Sequence, residues 1–202
     1  MFSAATRRHF LASGAAVAVP LGSAAAATET TAGTPPGLLA GKTAVIYGAA
    51  GAIGGSVARA FGREGARLFL AGRTLATLEK LAEEISQHGV RATPAVVDAL
   101  DHDSIEKHLA EVVRVAGGID ISFNLIGLGG EQGSTLTTMS FDAFDVPIAN
   151  GMRTHFLTAT AAARHMEQRG AGVILALTAQ VARKPYTGSG GFGVACAAME
   201  GL

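Results

Sequence analysis

Cysteine occurs once in this chain of 202 residues, at Cys196, so no internal disulfide can staple the fold. Net charge is lacking as well. Sixteen Lys and Arg balance sixteen Asp and Glu, and beyond Arg7 and Arg8 no basic cluster stands out. Nothing there provides an electrostatic footprint for nucleic acid, which is excluded as a partner. The apolar stretch at 10–21 is too short and too rich in Ala and Gly for a membrane span, so stable membrane insertion is not expected. No metal centre is expected either.

What is present begins with an address. Residues 1–27, MFSAATRRHFLASGAAVAVPLGSAAAA, carry a basic pair, an apolar stretch and a small-residue tail, the three-part plan of a cleavable export signal. Thr6-Arg7-Arg8-His9-Phe10-Leu11 resembles the twin-arginine motif, with Ala12 where a Lys is frequent. The resemblance implies the twin-arginine export machinery as a partner, cleavage within 24–27 and a periplasmic or exported product. Two arginines before an apolar run also suit the general secretion route. Residues 28–40, TETTAGTPPGLLA, have no sustained period and read as a tether, which leaves 41–202 as one domain.

Strand and helix patterns alternate along that domain. Buried-strand runs fall at 44–47, 67–71, 92–97, 119–123 and 173–177. Pro94 suits an early position or an edge. Between the runs, Ile53, Val57 and Phe61 mark one helical face, and Leu75, Leu78, Leu81 and Ile85 mark the next. Asp103 is expected to cap a third helix, with Glu106 completing a capping box and Ile105, Leu109 and Val112 facing inward. A long helix is expected over 142–168. Helical crossovers force parallel strands covered on both faces, so the fold class is α/β, a doubly wound parallel sheet.

The glycine loop YGAAGAIG at 47–54 is the clearest mark of function. Gly48, Gly51 and Gly54 lie between the first strand and the first helix, where small residues let backbone N–H groups approach a pyrophosphate at the positive helix end. Simple tight turns also use glycine, but this one opens a repeated strand–helix pattern. The second strand ends in Gly72-Arg73 and not in an Asp that would hold a ribose diol. Arg73 is then a cation within reach of a 2′-phosphate, which favours NADP over NAD, or else a solvated loop residue.

These residues resemble the short-chain dehydrogenase/reductase family across roughly 41–202. Its loop is usually Thr-Gly-x-x-x-Gly-x-Gly; here Tyr47 replaces the Thr and Ala52 the middle Gly. DISFNLIG at 120–127 follows the family pattern Asp-x-x-x-Asn-Asn-Ala-Gly, keeping Asn124 and Gly127. The resemblance implies a Rossmann-like sheet in strand order 3-2-1-4-5. It also implies a nicotinamide dinucleotide held by Gly48, Gly51, Ile53, Gly54, Arg73, Asp98, Ala99, Asn124 and Gly127, with Asp98 bonding the adenine amine. Asn150 matches the family Asn that bends the long helix and holds a relay water; a solvent-facing Asn is the plainer reading. Helices 142–168 and 192–202 would form any homo-oligomer.

At the catalytic centre the resemblance breaks. Family members place a Ser and a Tyr beside the substrate carbonyl, and a Lys that lowers the Tyr pKa and grips the ribose. Here Thr178 stands near the Ser position, while Phe192 and Cys196 occupy the Tyr and Lys positions. Phe cannot give a proton. Tyr186, in Lys184-Pro185-Tyr186, is a conceivable substitute or simply a loop aromatic. The family also continues for about 50 residues past this point, so its last strands are expected to be missing and strand five to form an exposed edge. Three readings stay open. One is an NADP(H)-linked oxidoreductase acting on a small carbonyl or alcohol. The others are an inactive dinucleotide-binding sensor or scaffold, and a truncated product.

Overall fold

β1 (Thr43–Tyr47) is buried at all five positions, as a central strand covered on both faces must be. The computed structural model describes residues 37–202; the leader at 1–27 and most of the tether lie outside the described residues. After β1 come α1 (Ala52–Arg63), β2 (Arg67–Gly72), α2 (Leu75–Ser86), β3 (Ala92–Val96) and α3 (His102–Ala116). β4 (Ile121–Asn124), α4 (Phe141–Arg169), β5 (Val173–Ala176), a 3₁₀ turn at Gln180–Ala182 and α5 (Gly190–Glu200) complete the described chain. The strands form one parallel sheet in the order β3-β2-β1-β4-β5, the Rossmann-like arrangement expected from the sequence.

Alternation along the strands divides the interior in two. Val45, Tyr47, Phe69 and Ala71 face Ile105, Leu109 and Val112 of α3 and Ala162 of α4. Their neighbours Ala44, Ile46, Leu68 and Leu70 face Ala58 of α1 and Leu78, Leu81 and Ile85 of α2. Register then aligns the strand ends: Tyr47 lies opposite Ala71 on one side and Asn124 on the other. The turns that leave these ends open together at one edge of the sheet, where α/β proteins bind ligands.

Several local expectations need correction. The inward face of α1 is Gly54, Gly55, Ala58 and Gly62, while Ile53 is 54% exposed. Small residues let the helix lie close to its neighbours, and Val57 and Phe61 pack only at its flanks. A Cβ on Gly62 would already press on Ile85 and Val90 at 3.2–3.3 Å. The cap of α3 is Asp101, whose carboxylate accepts from Asp103 N at 3.0 Å. Asp103 is therefore a first-turn residue, and Glu106 instead pairs with Arg164 of α4. The domain also begins earlier than residue 41. Leu38 and Leu39 N–H groups bond the side chain and the carbonyl of Glu64, each at 2.9 Å, docking 37–40 against the end of α1.

Two expectations about the sheet edges hold. β3 is an edge strand, and Pro94 sits within it opposite Leu70. At the other edge Val173 is 51% exposed, and β5 has no further strand beside it among the described residues.

One polar pair lies inside the core. His108 of α3 is 8% exposed and meets the rings of Tyr47 and Phe69 edge-on, each at 6.4 Å between centroids. Neither the Tyr47 hydroxyl nor His108 Nε2 has a hydrogen-bond partner among the described residues. Burial lowers the His108 pKa to about 4 and holds the Tyr47 phenol well above its ordinary range. The folded state thus refuses a proton that the unfolded chain accepts below its ordinary pKa of 6.5. Stability is expected to fall as pH drops from about 6.5 to about 4, by about 3 kcal/mol in all. Urea unfolding at stepped pH should show that loss in the full chain and a flatter acid limb in His108→Leu; parallel pH profiles would refute it.

Candidate functional site

The turn after β1 is built around missing side chains. Gly48 has φ +70, and a Cβ there would come within 2.7 Å of the Leu125 carbonyl oxygen. A Cβ on Gly54 would lie 2.2 Å from the Gly48 carbonyl oxygen. Gly51 caps α1 without a side chain, so the first-turn N–H groups at 52–54 receive no side-chain acceptor. The positive end of a 12-residue helix is left facing the strand ends.

Beside this turn lies a cavity of about 470 Å³. Seven residues singled out in the sequence line it together: Gly48, Gly51, Arg73, Asp98, Ala99, Gly127 and Asn150. They come from five segments of the chain, and the parallel sheet is what gathers them. Arg73 is exposed and takes part in none of the ion pairs among the described residues, so its charge is available to the cavity. The Asp98 carboxylate accepts from Leu100 N at 3.0 Å, and Asp98 N donates to Ser104 Oγ at 3.2 Å, which fixes the loop after β3.

Three expected cofactor residues do not line the cavity. Ile53 projects from the first turn of α1 and Gly54 lies beneath that turn. Asn124 is buried; its Oδ1 accepts from Ile126 N at 3.0 Å and its Nδ2 donates to Thr158 Oγ1 at 3.1 Å. By those bonds it sets the Leu125-Ile126 turn, which does line the cavity.

Two further residues, which the motif reading does not assign to the cofactor, shape the cavity. Tyr47 forms the inner wall from below. Arg153, on α4 between the lining residues Asn150 and Thr154, donates from Nε to the Leu100 carbonyl at 2.8 Å. That bond ties α4 to the loop after β3 across 53 residues, and no local pattern announces it.

Thr178 and Asn150, the two candidate catalytic residues, are not brought together on this cavity. Asn150 lines it, and its amide has no partner among the described side-chain bonds. The residue in α4 that interrupts the helical bonding is Pro147, which has no N–H to give. Thr178 turns away and donates to the Cys196 carbonyl at 3.2 Å. Phe192 is half-buried against a cluster that includes Leu128, Val181 and Met199, and Cys196 is 1% exposed inside it. Tyr186 donates to Gln132 Oε1 at 3.1 Å and lines a different cavity; the phenol that lines the 470 Å³ cavity is Tyr47, whose hydroxyl is buried in the core, and no lysine lines it. Among the described residues, no group of three or more His, Cys, Asp and Glu stands in a metal-binding arrangement.

A family model described as short chain dehydrogenase matches residues 42–202. The chain belongs to the short-chain dehydrogenase family. Gluconate 5-dehydrogenase of Gluconobacter oxydans is 31% identical over 159 residues, covering 76% of this chain and 61% of that protein. An uncharacterized oxidoreductase of Mycobacterium tuberculosis is 32% identical over 159 residues, covering 78% and 60%. The chain thus spans about three fifths of the length of these curated relatives. A short-chain type dehydrogenase/reductase from Mycobacterium marinum superposes with a TM-score of 0.70 at 30% identity, over 80% of this chain and 66% of that one. A metagenomic short-chain oxidoreductase in complex with NADP gives 0.74 at 28% identity, over 81% and 74%.

The glycine geometry makes a graded expectation. Gly54→Ala must displace backbone and should destabilise the chain by about 1–3 kcal/mol. Gly127→Ala, where a Cβ would meet nothing within 4 Å, should be nearly neutral. Thermal unfolding of the two variants checks this, and equal midpoints would refute the close approach.

Proposed function

We propose that the chain binds NADP(H) in the 470 Å³ cavity and belongs to hydride-transfer chemistry on a small carbonyl or alcohol. The observation that carries this reading is the placing of Arg73 on the same cavity as the side-chain-free glycine turn. First-turn N–H groups of α1 would meet the diphosphate, and Arg73 the 2′-phosphate. Asp98 would take the adenine amine, and the narrow gaps around Gly48 and Gly54 fit a backbone-lined phosphate cradle. The bound nucleotide would supply a hydride. That a metagenomic relative of 28% identity is solved in complex with NADP supports the choice.

A second reading, binding without turnover, is favoured by a specific observation: both positions that would deliver and tune the proton are apolar and packed. The Phe192 ring has no ionisable group, Cys196 is sealed, and the Thr178 hydroxyl is engaged with a backbone carbonyl. Loss of general-acid assistance costs about 10²–10⁴ in rate. The proposal is therefore a nucleotide-binding oxidoreductase fold with carbonyl reduction held low by residues 192 and 196.

Calorimetric titration of the full chain should give tighter binding of NADPH than of NADH, and Arg73→Ala should erase most of the difference. Equal affinities in the unmodified chain would overturn the assignment. Turnover is tested separately, by following NADPH consumption against ketones and quinones with product identified. The unmodified chain is expected to show negligible reduction. Phe192→Tyr alone should help little, since an unassisted phenol keeps a pKa of about 10. Phe192→Tyr with Cys196→Lys should raise the rate, provided NADPH still binds. Robust reduction by the unmodified chain would refute the defective-site reading.

A further inference from the structure

α5 starts with its cap unused. Ser189, the cap residue, has αR angles (φ −71, ψ −26), and its hydroxyl makes no cap bond. Serine caps a helix from an extended conformation, where its oxygen can reach the N–H two or three residues on. Here that oxygen is left over. Ser189 is only 8% exposed, yet it lines a second cavity, of about 500 Å³, distinct from the nucleotide cavity and sharing no residue with it.

The backbone around Ser189 is unsatisfied in the same direction. Ser189 N donates to the Tyr186 carbonyl at 3.1 Å, and the next amide with a backbone acceptor is Gly193 N, which donates to the Ser189 carbonyl at 3.1 Å. The N–H groups at 190–192 precede it and are the orphans of the helix start. Gly190 and Gly193 line the cavity beside Ser189, so the positive end of an 11-residue helix opens on it. No charged side chain is among the lining residues, so nothing there neutralises that end. The remaining wall is mostly apolar, with Phe144, Val181, Pro185 and Val194.

A buried, unused hydroxyl and unpaired amides on one side, with an aromatic and aliphatic wall on the other, describe an amphiphilic ligand. We propose that this cavity is a binding site for a small monocarboxylate with an apolar body. The carboxylate accepts from the Ser189 hydroxyl and the Gly190 N–H, both on the cavity, and the body rests against Phe144, Pro185 and Val194. A free inorganic anion would gain the polar end and nothing from that wall. The site does not depend on the nucleotide reading, because it uses none of the residues of the other cavity.

The probe is phenylacetate, with phenylacetamide as its uncharged isostere, titrated into the full chain at neutral pH. The chain contains no Trp and two Tyr, of which Tyr47 is buried in the core and Tyr186 lines this cavity, so tyrosine emission reports the site. Phenylacetate is expected to bind at least about tenfold more tightly than the amide, as a charge-assisted hydrogen bond implies. Ser189→Ala should weaken it about tenfold. Val194→Asp, a change on an exposed helix position, should abolish it by like-charge repulsion without disturbing the thermal midpoint. Equal binding of acid and amide, no binding of phenylacetate at millimolar concentration, or binding unchanged in both variants would each overturn the proposal. Equal binding of inorganic phosphate would overturn it too, by showing that the apolar wall contributes nothing.

Discussion

The approach of Gly54 to the Gly48 carbonyl is the constraint on which the rest of the molecule depends. With 2.2 Å available to a Cβ, no other residue can let α1 begin where it does. That start aims the open amides of 52–54 at the ends of β1, β2 and β4, whose register puts Tyr47, Ala71 and Asn124 side by side. Arg73, Asp98 and Asn150 then reach one cavity from different crossovers. The same logic continues down α1, whose glycine and alanine face allows close packing on the sheet and pushes its larger side chains to the flanks.

The other end of the sheet follows a different rule. Around α5 packing takes precedence over polar contacts: Phe192 and Cys196 join Leu128, Val181 and Met199 in a small core of their own. Thr178 contributes a hydroxyl that bonds the Cys196 carbonyl of that helix. One half of the protein presents open amides and Arg73 to a single cavity. The other half spends Phe192 and Cys196 on local cohesion.

Much of this is legible in the sequence. Apolar runs such as 44–47 mark central strands because both their faces must be covered, and the turn YGAAGAIG announces its own backbone. The errors have physical sources. The inward face of α1 carries glycine and alanine, which leave little trace in a hydrophobic pattern dominated by Ile53 and Phe61. Asp101 and Asp103 have the same capping chemistry, and only the extended backbone at Asp101 decides between them. Spacing singles out Thr178 but cannot show that its hydroxyl donates to the Cys196 carbonyl. Arg153 and Leu100 meet only because the sheet brings their segments together.

β5 gives the molecule a collective property. Its outer side presents a row of backbone donors and acceptors beside half-exposed Val173 and Ile174, with no lysine or proline within the strand to discourage a partner. Pairing of such rows between molecules is second order in concentration, whereas folding is first order. For an edge like the one the described residues present, crowding would favour pairing between copies, and dilution would act as a stabiliser.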